Sequence, residues 1–106
     1  MLLLFCIPSY CAMAHPVNIS GKVSDAHGKP VVYANVMLFK TQDTTILIKA
    51  DFTNDNGQYK LTATDSGTYV LKVALVGYDR YRSESFLAEN DITLPDIKLL
   101  QKENES

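Results

Sequence analysis

The chain has 106 residues, a formal net charge of −2 and 21% charged side chains, with two cysteines and no tryptophan. That length holds one domain, and acidic and basic residues are interspersed, which excludes the basic stripe that nucleic-acid backbones require. Both cysteines, Cys6 and Cys11, sit near the start, so neither a disulfide framework nor a Cys-ligated zinc is available to the rest of the chain.

Met1 to Ala14 differ in character from the remaining residues. Leu2 to Ile7 are continuously apolar, Pro8 and Ser9 interrupt the run, and Ala12-Met13-Ala14 fits the small-x-small pattern of a signal-peptidase site. The run is shorter than the roughly 20 residues that span a bilayer. Residues 1–14 are therefore read as a secretory leader, 15–100 as the folded domain and 101–106 as a polar, frayed tail. No Lys or Arg precedes the apolar run, which departs from the usual basic n-region. Cys11 as a lipid-bearing cysteine is the alternative, but Tyr10 stands where that signal wants a small residue.

From Val17 the pattern has period two. Val17, Ile19, Gly21 and Val23 alternate with Asn18, Ser20, Lys22 and Ser24, which predicts a half-buried strand. A turn comes next over Asp25–Pro30, with Gly28 free to take positive φ. A second strand is predicted over 31–39, with Val32, Ala34, Val36 and Leu38 on one face and Tyr33, Asn35, Met37 and Phe39 on the other. Both of its faces are partly apolar, which predicts a central or covered strand. A third, over 45–53, points Ile46, Ile48, Ala50 and Phe52 inward. Asn54-Asp55-Asn56-Gly57 is a hairpin turn. Tyr59 and Leu61 face inward on the fourth strand, and Tyr69, Leu71, Val73 and Leu75 on the fifth. A sixth strand is placed over 80–87 and a seventh over 92–99, an edge strand or a bulged one because Pro95 lacks an N–H. Seven short strands without a helical period predict an all-β, antiparallel sandwich.

The ordered set of turns and strands resembles the carboxypeptidase regulatory-like domain, a transthyretin-like, Ig-like seven-stranded sandwich. The resemblance is carried by Gly21-Lys22-Val23 with the Asp25–Pro30 turn, by Tyr33-Ala34-Asn35-Val36, and by Thr53 with Asn56, Gly57 and Tyr59. Gly67, Tyr69, Leu71, Val73, Gly77 and Tyr78 complete it. With a leader in front, such a domain resembles the N-terminal module of TonB-dependent outer-membrane receptors. The resemblance implies a periplasmic, monomeric, non-catalytic accessory module, whose partner is an outer-membrane barrel or its associated proteins. Association with the membrane would then run only through a barrel. The sequence departs from that pattern in stopping after the last strand, without plug or barrel, so a detached module is the expectation. The alternative is a free-standing secreted sandwich that binds carbohydrate, peptide or a protein partner.

No residue set points to catalysis, a metal or a cofactor. His15 and His27 are the only histidines, too few for a zinc site without cysteine. An EF-hand loop starting at Asp51 would place Asn56 where Gly is needed and Thr62 where a bidentate Glu is needed. Asp25 and His27 lack the nucleophile that would complete a triad. An isopeptide crosslink between Lys22 and Asp96 would need a buried lysine, and Lys22 falls on the polar face. Two clusters remain as candidate interaction surface. One is Tyr33, Met37 and Phe39 on the second face of the second strand, rich in the residue types favoured at interfaces. The other is Tyr78, Arg80 and Tyr81, beside Arg82. Ordinary core packing is the competing reading of both.

Overall fold

In a computed structural model, which describes residues 15–102, the N-terminal alternation becomes strand β1 (Val17–Ser24), with Val17, Ile19 and Val23 fully buried. The expected leader, 1–14, and residues 103–106 lie outside the described residues. Strand β1 is the centre of the first sheet. It pairs antiparallel with β4 (Gln58–Ala63), and on its other side it runs parallel to two short pieces, β8 (Ile92–Thr93) and β9 (Ile97–Lys98).

The second sheet has the order β3 (Asp43–Phe52), β2 (Asn35–Lys40), β5 (Gly67–Ala74) and β6 (Tyr81–Arg82), with β7 (Phe86–Ala88) also on β5. No helix occurs among the described residues. The chain is thus an all-β, two-sheet sandwich. Its core is one cluster in which Ile19, Val23, Tyr59 and Leu61 of the first sheet meet Val36, Leu38, Tyr69, Leu71 and Val73 of the second.

Nine elements replace seven expected strands because two of those strands are interrupted. The sixth breaks after Arg82. There the Ser83 N–H donates to the Leu71 carbonyl at 2.8 Å, while its hydroxyl accepts the Leu71 N–H at 2.9 Å and donates to the Glu84 carbonyl. A side chain has taken the place of one ladder bond. The seventh breaks at Pro95 and lies at a sheet edge, as the missing N–H requires. Its two halves run parallel to β1, so the purely antiparallel expectation is corrected: the chain reaches this edge by crossing from the other sheet.

Two expected stripes are also corrected. The second strand begins at Asn35 instead of 31. Before it, Tyr33 has φ of 67°, which shifts the alternation by one residue, so that Val31 is buried and Val32 is 44% exposed. On β3 the register slips between Leu38 and Phe39, whose partners are Lys49 and Leu47, leaving Ile48 as the extra residue of a bulge. Ile48 packs against the core, whereas Ile46 and Phe52 are 56% and 52% exposed. Ala50 and Phe52 face outward beside Met37 and Asn35, their register partners.

The turns obey their sequence. Gly28 and Gly57 have φ of 82° and 76°, and the Asn54 side-chain oxygen accepts the N–H groups of Asn56 and Gln58. Order also continues past the expected domain end. Gln101 bridges Tyr78, and the Lys102 N–H donates to the Gly77 carbonyl at 2.9 Å, so the tail placed at 101–106 starts as a paired segment.

Candidate interaction surface

Thr53 is the buried polar residue that shapes the surface, at 2% exposure. Its hydroxyl donates to the Val31 carbonyl at 2.7 Å and accepts the Ala34 N–H at 2.8 Å. Its backbone accepts the Tyr33 N–H and donates to the Ala34 carbonyl, both at 3.0 Å. These four bonds bracket Tyr33 and hold it in the left-handed region, which costs a non-glycine residue about 1–2 kcal/mol. The consequence is outward display. The Tyr33 ring is 68% exposed and stacks on Phe52, with centroids 5.1 Å apart and planes 20° from parallel.

From this stack a trough crosses the outer face of the second sheet. A depression of about 450 Å³ is lined by Tyr33, Phe52, Asn35, Tyr78, Arg80 and Lys102, among others. A second, of about 510 Å³, is lined by Met37, Lys72, Tyr81 and Arg82 and shares Asn35, Ala74 and Arg80 with the first. Among the described residues no acidic side chain lines either depression. Asn35 stands at the common wall, and its Oδ1 is enclosed without a hydrogen-bond donor.

The two clusters singled out in the sequence therefore meet. Tyr33 and Tyr78 line the first depression, Met37 and Tyr81 the second, and Arg80 both. Phe39 does not join them: it is 8% exposed, with the Lys72 ammonium 4.7 Å above its ring. Tyr81 lies opposite Val73 and packs against the core, as does Tyr78, so both tyrosines are partly structural. Sequence reasoning missed Asn35, Phe52, Lys72 and Lys102. Phe52 was legible only through the β3 bulge, and Lys102 only through the return of the chain to Gly77.

The remaining chemistry is absorbed by turns and edges. Among the described residues no group of three or more His, Cys, Asp or Glu could hold a metal ion. Asp25 accepts the N–H groups of Lys29 and His27, and the Lys29 bond above all holds its carboxyl below the ordinary range. Lys22 and Asp96 border one depression on the first sheet, but both are exposed, so the buried lysine of an isopeptide site is absent from that pair. The Tyr59 hydroxyl is enclosed without a partner; burial, with Tyr81 and Asp96 adding to it, pushes its ionisation well above the ordinary phenol value.

Solved structures sharing the architecture have diverse roles. A C-terminal interface mutant of the type II cohesin–X-dockerin complex from Acetivibrio cellulolyticus superposes with a TM-score of 0.59 at 20% identity, over 78% of this chain and 56% of that one. BcpA, the major pilin subunit of Bacillus cereus, gives 0.64 at 17%, over 80% and 29%. The 3-chlorocatechol 1,2-dioxygenase of Rhodococcus opacus 1CP gives 0.64 at 9%, over 85% and 61%. The chain spans less than two thirds of each of these, and at such identities the likeness is one of fold, so no residue role transfers. No curated protein matches the sequence. The family profile described as the carboxypeptidase regulatory-like domain matches residues 18–100, nearly the whole sandwich, and the chain belongs to that family.

Proposed function

We propose that this domain is a non-catalytic interaction module that works in the periplasm, as the N-terminal accessory of a TonB-dependent outer-membrane receptor or a related barrel. The observation that carries the reading is the outer face of the second sheet, where an exposed aromatic stack opens into a trough lined, among the described residues, by cations and no carboxylate. A face that only needed to be wet would be polar throughout, whereas aromatic, Met and Arg side chains together mark contact surfaces. The family is regulatory-like and non-catalytic, and cohesin–dockerin complexes and pilin subunits, which share the fold, belong to protein assemblies. The receptor assignment itself rests on the leader expected at 1–14 and on the family resemblance.

Reading the DNA in frame on both sides of the coding segment tests this assignment. A plug and barrel continuous with Ser106, preceded by Lys or Arg codons ahead of Met1, is the expected result. A stop codon followed by an unrelated reading frame overturns it and makes the domain a free-standing binding protein.

A further inference from the structure

We infer that the trough on the second sheet binds an extended acidic segment of a partner polypeptide, seated with its apolar side chains on the Tyr33–Phe52 stack and its carboxylates toward Arg80, Arg82, Lys72 and Lys102. The inference rests on the interaction-module reading but is independent of the receptor assignment.

Charge complementarity points to the occupant. The chain as a whole is acidic, with twelve Asp and Glu against ten Lys and Arg, yet among the described residues the lining of both depressions contains four cations and no carboxylate. The shape points to an extended chain. The trough passes from Phe52 on β3 across Asn35 on β2 and Ala74 on β5 to Arg82 on β6. Four strands about 4.8 Å apart span about 14 Å, which accommodates four or five residues extended at about 3.3 Å each.

The polar groups discriminate further. The four cationic side chains of the lining donate the charge-assisted hydrogen bonds that suit carboxylates. Asn35 Oδ1, enclosed and lacking a donor at the shared wall, is the acceptor that a backbone N–H would satisfy once the side chain turns toward it. Aromatic faces beside guanidinium groups complete a site for alternating apolar and acidic side chains.

The test titrates the full chain, labelled with ¹⁵N, with an amidated seven-residue peptide alternating Asp and Phe. Parallel titrations use the same peptide with Lys for Asp, oligogalacturonate and oligothymidylate. The expected result is that the Asp/Phe peptide alone shifts the amides of Asn35, Ala74 and Arg80, with an affinity that falls as salt rises. Arg80→Glu then weakens binding about tenfold or more. Tyr33→Gly, which removes the ring but suits the left-handed backbone, weakens it as well. Four results overturn the proposal: no shift at millimolar peptide, an equal response to the Lys peptide, unchanged binding by Arg80→Glu, or stronger binding of oligogalacturonate or oligothymidylate. None of these bears on whether a receptor gene surrounds the domain.

Discussion

The two sheets contribute alike to one core and differ completely on their outer faces. Outward on the first are Asn18, Ser20, Lys22, Gln58, Lys60 and Thr62, set side by side by the β1–β4 register. They bond to one another and to the edge: Thr62 donates to Asn18 at 2.7 Å, and the Asn18 backbone N–H donates to Asp91 at 2.9 Å. Outward on the second are Met37, Ala50 and Phe52, with Leu47 and Leu87 at 51% and 57% exposure. Burying one face of a strand dictates every second residue; the other half of the strand is free to report what the face meets. On the first sheet that half is polar and bonded to itself. On the second, apolar and cationic groups replace a closed polar network, as the proposed partner surface requires.

The comparison can be broken most severely from inside. Leu71, fully buried on β5, belongs to the core that both sheets share, so Leu71→Ala should destabilise the domain by about 3 kcal/mol. Urea denaturation checks this, with a lower midpoint at unchanged slope. Loss of dispersion on both outer faces together is expected; a mutant that unsettled only one sheet would mean that the core is two weakly coupled layers.

Thr53→Val is smaller and one-sided. It keeps the shape of the side chain but leaves the Val31 carbonyl and the Ala34 N–H without the hydroxyl they share. A buried pair so abandoned costs about 2 kcal/mol. Amide shifts should concentrate at 31–35 and Phe52 while Asn18 and Thr62 stay in place. A loss below about 0.5 kcal/mol would show that the hydroxyl does not hold the Tyr33 loop.

Tyr33 itself supplies an inversion. Ala at its φ of 67° keeps the steric penalty and loses the stack, whereas Gly loses the stack and the penalty together. Tyr33→Gly should therefore be more stable than Tyr33→Ala by about 1 kcal/mol, against the usual ranking in an extended segment. Equal stabilities would mean that the loop relaxes once the ring is gone.

These sites mark where sequence and structure part. Strands β1 and β4 of the first sheet were legible, because a strand with one wet face writes its burial as strict alternation: Val17, Ile19 and Val23, then Tyr59 and Leu61, are all in the core. The second sheet was legible on β5 and over Val36 and Leu38 of β2. Its other strands depart from period two at Tyr33 and at the Ile48 bulge, and neither residue type announces the change. Tyr favours strands, and nothing local requires positive φ there; the requirement comes from Thr53, nineteen residues from Ala34 along the chain. Individual members of the surface, Tyr33, Met37 and Arg80, could be picked out by type. Their assembly into one trough depended on strand order, and Asn35, Phe52 and Lys102 entered with it.

The smallest effect is one of pH, and it separates the faces without a mutation. The Asn18 backbone N–H, followed by the Asn18 side chain, holds the Asp91 carboxyl below its ordinary value of 3.8. A carboxylate depressed on folding adds stability that is present above 3.8 and is lost as pH falls through its folded value, since protonation must break the bonds it accepts. The Asn18 amide should thus titrate with a midpoint below 3.8. Asp25 and Asp43 are lowered likewise, through Lys29 and Thr45 respectively, so the Lys29 and Thr45 amides should move with them. Among the described residues the trough has no carboxylate in its lining, and the amides of Asn35 and Ala74 should stay still over the same range. A trough amide that moved in step with Asn18 would tie the two outer faces together through the core, and the polar face could no longer be treated as independent of the proposed partner face.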